Sequence, residues 1–153
     1  MKAEAEFSPD ECTVIDGKNA VLGRLASTVA SRLLDGERVA VVNAEEIVVS
    51  GDTDDTVERY RKKTSARSDQ GPDHPKRPDG LARRTVRGMV PHKKKRGREA
   101  MSNLRFYIDV PREYAGDDVE FETVEDADAE NLGKARVIRL GEISKKLGAN
   151  VTW

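Results

Sequence analysis

The sequence predicts an α/β fold built on a parallel sheet, and three observations carry that expectation. Val39-Ala40-Val41-Val42 is a continuous apolar, β-prone run, the pattern of a strand buried on both faces. Leu22, Leu25, Ala26, Val29, Ala30 and Leu33 recur with the 3.6-residue period of an amphipathic helix. Cys12-Thr13-Val14-Ile15 reads as a short strand closed by the turn dipeptide Asp16-Gly17. Strand, helix, strand within fifty residues is a βαβ opening. The right-handed crossover rule then lays the helix on one face of the sheet.

Each further element has its own signal. Gly36 is placed to cap the first helix at its C-terminus. Ile47-Val48-Val49 reads as another short strand, broken by Ser50-Gly51-Asp52-Thr53. Asp52 or Thr53 can cap a helix that starts near Asp54 and runs through Val57 and Tyr60. Residues 68–80 hold three prolines and two glycines, so an irregular loop is expected there. Residues 81–102 suit two short helices broken at Gly88 to Pro91, because a residue before proline avoids the α region. Leu104 to Ile108 reads as a strand that Pro111 ends. Glu113 to Glu130 contains nine acidic residues and no basic one, which predicts a solvated or mobile segment. Val137-Ile138 and a helix-like Ile143 to Leu147 close the chain. No internal repeat is visible. A single domain over 12–153, after a tail at 1–11, accounts for the whole pattern.

Composition narrows the class. The chain has 153 residues and one cysteine, Cys12, which excludes an internal disulfide and a Cys-rich zinc site. Cys12 lies in an apolar stretch and is expected as a buried small hydrophobe. The apolar runs are far shorter than a membrane span. The N-terminus has neither a basic n-region nor an apolar h-region, so a cytoplasmic location is expected.

Charge carries the functional signal. The run from Leu81 to Arg98 contains eight Lys or Arg and no Asp or Glu, in a chain whose net charge is −1. Between Arg59 and Arg105 sixteen Lys plus Arg face four Asp plus Glu, a net of +12; the remainder carries −13. A near-neutral whole therefore hides a strongly basic part, and such asymmetry points to nucleic acid. Eight cations without local counter-charges cannot be desolvated unpaired, so the run is expected at the surface. A solvated helix face would interleave Glu with Lys; this one does not. Residues 61–105 contain no Phe, Tyr or Trp on which bases could stack. The reading is therefore phosphate and 2′-OH contact with folded RNA, aided by close backbone approach at Gly88 and Gly97.

Competing chemistries are poorly served. A dinucleotide loop needs G-x-G-x-x-G and a P-loop needs G-x-x-x-x-G-K-[ST], and neither occurs. Gly23, one turn inside the first helix, is read instead as allowing close approach to a strand or to RNA. His74 and His92 lack a metal-ligand partner at useful spacing, and no G-x-S-x-G elbow is present. No catalytic residue, metal or cofactor is expected, no small-molecule substrate and no membrane partner. An RNA-binding regulator acting off the ribosome, or a nucleotide-binding α/β enzyme, are the readings that compete with a structural RNA-binding protein.

Several blocks together carry a resemblance. Leu22-Gly23-Arg24-Leu25-Ala26-Ser27, Val41-Val42-Asn43-Ala44-Glu45, Ser50-Gly51, and Arg87-Gly88-Met89-Val90-Pro91-His92-Lys93 with Arg96-Gly97 resemble the large-subunit ribosomal protein L13 family. His92 after Pro91, Leu140-Gly141-Glu142-Ile143-Ser144 and Leu147-Gly148 resemble its archaeal and eukaryotic branch. The likeness spans roughly residues 12–153. It implies a three-layer α/β/α fold around a four-stranded parallel sheet, and a role in binding large-subunit rRNA and supporting subunit assembly beside neighbouring ribosomal proteins. It implies no enzymatic activity. By similarity Arg24, Arg87, Gly88, Met89, Pro91, His92, Lys93 and Arg96 face rRNA. The basic segment adds Arg59, Lys62, Lys63, Lys76, Arg77, Arg83, Arg84, Lys94, Lys95, Gly97 and Arg98 as candidate rRNA-binding residues. The pI of about 6.2 is low for this family, and segment 113–130 is unusually acidic. Both resemble proteins of salt-loving archaea.

Overall fold

The computed structural model describes residues 8–65, 74–133 and 135–153. The chain runs β1 (Thr13–Asp16), α1 (Leu22–Leu34), β2 (Val39–Val42), β3 (Val48–Ser50), α2 (Thr53–Ser65), α3 (Pro78–Arg87), α4 (Lys95–Ser102), β4 (Leu104–Phe106), β5 (Val137–Arg139) and α5 (Leu140–Lys146). Parts of the expected tail and of the 68–80 loop lie outside the described residues.

The continuous apolar run is the centre of the sheet. β2 is buried at all four positions and pairs in parallel with β1 on one side and β4 on the other. Its alternate residues feed two cores. Val39 and Val41 join Ile15, Leu104 and Phe106 beneath α1, α3 and α4; Ala40 and Val42 join Val14 and Tyr114 on the opposite face. The apolar stripe of α1 is the buried one, from Leu22 to Leu33. Gly36, at φ 92°, lets Glu37 N–H reach the Arg32 carbonyl at 3.1 Å and Gly36 N–H reach the Leu33 carbonyl at 3.0 Å. That pair of bonds is the Schellman closure a C′ glycine permits. Asp52 caps α2, its Oδ1 accepting from the N–H groups of Asp54 at 3.0 Å and Asp55 at 3.2 Å.

The structure refines four of these readings. Among the described residues the parallel sheet has three strands; at the outer edge of β1 a further segment pairs in parallel through a single bridge, Ile15 with Glu122. β3 belongs elsewhere. It pairs antiparallel with β5 in a two-stranded sheet. Only residues 43–47 separate it from β2. That is too short for a parallel crossover, which needs a dozen residues or more. α3 begins at Pro78, inside the expected loop, because proline at the first helical position gives up only an N–H that has no partner there. Segment 113–130 is anchored. Glu122 N–H donates to the Val14 carbonyl at 2.8 Å, Asp16 N–H to the Glu122 carbonyl at 2.9 Å, and Val21 N–H to the Ala127 carbonyl at 2.7 Å. Tyr114 and Ala127 are buried, while all nine acidic side chains stay exposed. The high charge density masked the few apolar residues that fasten this segment.

Cys12 is half-buried beside Tyr114, whose hydroxyl lies 3.9 Å from its Sγ, and burial pushes its thiol pKa up. It packs as the small hydrophobe expected.

Candidate nucleic-acid interface

The break between α3 and α4 shapes the basic surface. Val90 is buried and pins the turn, leaving Met89 44 % exposed. His92 Nδ1 lies 3.2 Å from the Arg87 carbonyl at the end of α3, which also accepts the Val90 N–H at 3.4 Å. The turn then packs directly under α4. A Cβ on Gly97 would sit 2.0 Å from the Pro91 carbonyl oxygen, so only glycine permits this crossing.

This packing gathers cations from separate elements. One open cleft of about 410 Å³ is lined by Arg24 of α1, Arg59 and Lys63 of α2 and Thr85 of α3, with Ser50 and Tyr60 between them. Lys63 Nζ lies 5.1 Å from the centre of the Tyr60 ring. A second cleft, of about 440 Å³, runs between α3 and α4 and is lined by Arg83, Arg87, His92 and Arg98. A third, of about 320 Å³, joins Pro75 and Gly80 to Arg83, Arg84 and Arg87. Ser50, Tyr60 and Thr85 were not among the candidate rRNA-binding residues read from sequence. Thr85 is flanked by the Arg pair and Arg87, which is the signal that could have marked it.

The electrostatics are unbalanced. Within the basic segment Arg77 pairs with Asp79 at 3.5 Å, Lys95 with Glu99 at 3.8 Å and Arg61 with Glu58 at 3.7 Å. Arg24 donates to the Asp126 carbonyl at 3.4 Å and Arg98 to the Lys93 carbonyl at 3.3 Å. Among the described residues the side chains of Arg59, Lys62, Lys76, Arg84, Arg87, Lys93, Lys94 and Arg96 have no carboxylate or carbonyl partner. Unpaired cations at this density repel one another unless a polyanion meets them.

Three sequence readings change at residue level, while Gly88 stays on the surface. Arg83 is turned inward, donating to the Leu104 carbonyl at 2.7 Å and the Met101 carbonyl at 3.0 Å. Burial, with Arg105 nearby, lowers its pKa. Backbone carbonyls thus satisfy a half-buried cation without any counter-charge in the run. Gly97 is buried, and its close neighbour is the chain's own Pro91. Gly88 is exposed at φ −67°, an ordinary helical value that demands no glycine. Gly23 faces open space, with nothing within 4 Å of a built Cβ, so no strand approaches it.

Among the described residues no helix is long and apolar enough to cross a membrane, and no group of His, Cys, Asp and Glu could hold a metal ion.

The family described as ribosomal protein L13 matches residues 10–113. The chain is similar to the large ribosomal subunit protein uL13 of Natronomonas pharaonis, 51 % identical over 97 % of this chain and 98 % of the relative. It is similar to that of Haloarcula marismortui at 45 % identity and that of Halobacterium salinarum at 44 %, with the same coverage. These sources are halophilic archaea, which fits the acidic segment. With the family match over residues 10–113 and a likeness this close along nearly its whole length, the chain belongs to the ribosomal protein L13 family.

Proposed function

We propose that this protein is a structural constituent of the large ribosomal subunit that clamps folded large-subunit rRNA. It works in the cytoplasmic ribosome, beside neighbouring ribosomal proteins. The observation that carries the reading is the set of unpaired cations converging on the α3–turn–α4 surface and the end of α2. Arg59, Lys62, Lys63, Lys76, Arg84, Arg87, Lys93, Lys94 and Arg96 serve phosphates. Arg24, Arg77, Lys95 and Arg98 join them from partly satisfied positions. Gly88, Met89 and Pro91 present the turn, His92 closes it, and Arg83 and Gly97 hold its shape from within. The basic segment 59–105 and the acidic segment 113–130 belong to one domain over 12–153. The parallel sheet is read as four-stranded, with the chain at Glu122 as its fourth member and segment 107–122 as a third layer.

The mechanism is electrostatic docking followed by fit. Arg guanidinium groups hold phosphates in bidentate geometry. In molar salt the Debye length falls to ~3 Å, so direct hydrogen bonds and shape dominate over counterion release.

Replacing Arg87, Lys93 and Arg96 together by Ala tests the reading. Binding to a large-subunit rRNA transcript should weaken by several kcal/mol, at roughly 1.5–3 kcal/mol per charge-assisted bond. Circular dichroism should not change, since among the described residues these side chains make no hydrogen bond or ion pair within the chain. Unaltered affinity of a folded triple variant would remove the assignment.

A further inference from the structure

The cleft between α3 and α4 holds a group whose chemistry differs from its neighbours. Arg83, Arg87 and Arg98 line it and can only donate hydrogen bonds. His92 lines it too, and its ring is oriented by the fold. Its Nδ1 lies 3.2 Å from the Arg87 carbonyl. A carbonyl only accepts, so Nδ1 must carry the hydrogen of that bond. In the neutral ring Nε2 then carries a lone pair. Among the described residues Nε2 has no protein partner, nor is it a buried orphan. The cleft thus sets the guanidinium donors of Arg87 and Arg98 beside a ring acceptor; Ser102 also lines it, its hydroxyl donating to the Glu99 carbonyl at 2.6 Å.

A phosphodiester oxygen needs donors; a ribose 2′-hydroxyl next to it can give its hydrogen to an acceptor. DNA has the first group and lacks the second. We propose that His92 is a specificity-determining residue, its Nε2 accepting a hydrogen bond from one ribose 2′-hydroxyl while Arg87 and Arg98 hold the adjoining phosphate. The inference rests on the rRNA-binding reading and deepens it: the arginines supply affinity that any polyanion would enjoy, and His92 supplies the preference for RNA. The protein holds this acceptor in place through the bond that finishes α3, so no side-chain ordering is needed on binding.

The test is nucleotide-analogue interference. Large-subunit rRNA is transcribed with random 2′-deoxy, phosphorothioate-tagged nucleotides, mixed with the full chain at pH 8, and the bound and free fractions are cleaved with iodine. Wild type should exclude the deoxy analogue at a position where His92→Asn does not. Asn keeps a donor near the Nδ1 position and has no acceptor at Nε2. Its affinity for the all-ribose transcript should fall about fivefold, the worth of one neutral hydrogen bond. His92→Gln places an amide oxygen near the Nε2 position and should restore the interference. Identical maps for wild type and His92→Asn overturn the inference, as does failure of His92→Gln to restore the signal with its melting temperature unchanged. Absence of any 2′-deoxy interference overturns it too, while the rRNA-binding reading survives if the triple cation variant still loses affinity. A wild-type chain that does not bind the transcript would defeat both.

Discussion

Two glycines in one basic run have opposite roles. Gly97 lies against the Pro91 carbonyl with no room for a Cβ, whereas Gly88 is exposed with ordinary helical dihedrals. Gly97→Ala should therefore cost about 2–3 kcal/mol or more through overpacking against backbone. Gly88→Ala should leave stability unchanged or raise it by roughly 0.4–1 kcal/mol. Its rRNA affinity should nonetheless fall, since the added methyl stands on the proposed contact surface. Thermal melts with a parallel binding measurement separate the two, and equal melting temperatures for both variants would contradict the packing argument. Arg83 teaches a related lesson. From sequence it is one more surface cation, because its partners are carbonyls of Leu104 and Met101, about twenty residues away. A backbone acceptor leaves no trace in side-chain composition.

At the scale of elements, the segment 113–130 was legible as exposed but not as anchored. Its fastening is mostly backbone pairing with β1 and with Asn19 and Val21 just before α1, plus one ion pair: Arg32 of α1 donates through both terminal nitrogens to Glu122, one bond at 2.9 Å. The Arg32 hydrogen bond holds the Glu122 carboxyl below the usual carboxylate range. A depressed carboxylate pKa stabilises the fold above the unfolded value, about 4.3, and the contribution disappears as pH falls through the folded value. Glu122 is 44 % exposed, so the effect is small, under about 1 kcal/mol. Glu122→Gln keeps both backbone bonds. It should melt slightly below wild type at pH 6 and together with it at pH 2; a gap that persists in acid would assign the loss to packing rather than charge. Helix ends, by contrast, were readable. Gly36 and Asp52 act on amides and carbonyls within a few residues, so local sequence contains both partners.

Across the whole molecule the charges are segregated, +12 over residues 59–105 and −13 over the rest. The separation is not complete in space. The acidic segment reaches the N-terminal end of α1, where the Asp126 carbonyl meets Arg24 and Val21 pairs with Ala127. Like charges still crowd both regions, and in dilute buffer each region repels itself. Raising potassium chloride from ~0.1 to ~2 M shortens the Debye length from about 10 Å to below 3 Å. The free protein should melt higher in the concentrated salt, and neutralising five acids of segment 113–130 to Asn or Gln should flatten that dependence. A melting temperature indifferent to salt in the wild-type chain would rule out this relief of repulsion.

The sequence by itself determined the βαβ opening, the buried central strand, the two helices broken before Pro91 and the basic character of the surface between them. Each rests on periodicity, capping or charge within a short window, where the interacting groups are near neighbours in the chain. Only the tertiary structure decided that β3 pairs with β5, that Arg24 meets Arg59 and Lys63 in one cleft, that Arg83 and Gly97 face inward, and that His92 lines a cleft beside Arg87 and Arg98. Those facts depend on which distant segments pack together. Packing is set by the sum of many weak contacts across the core, which no local pattern records.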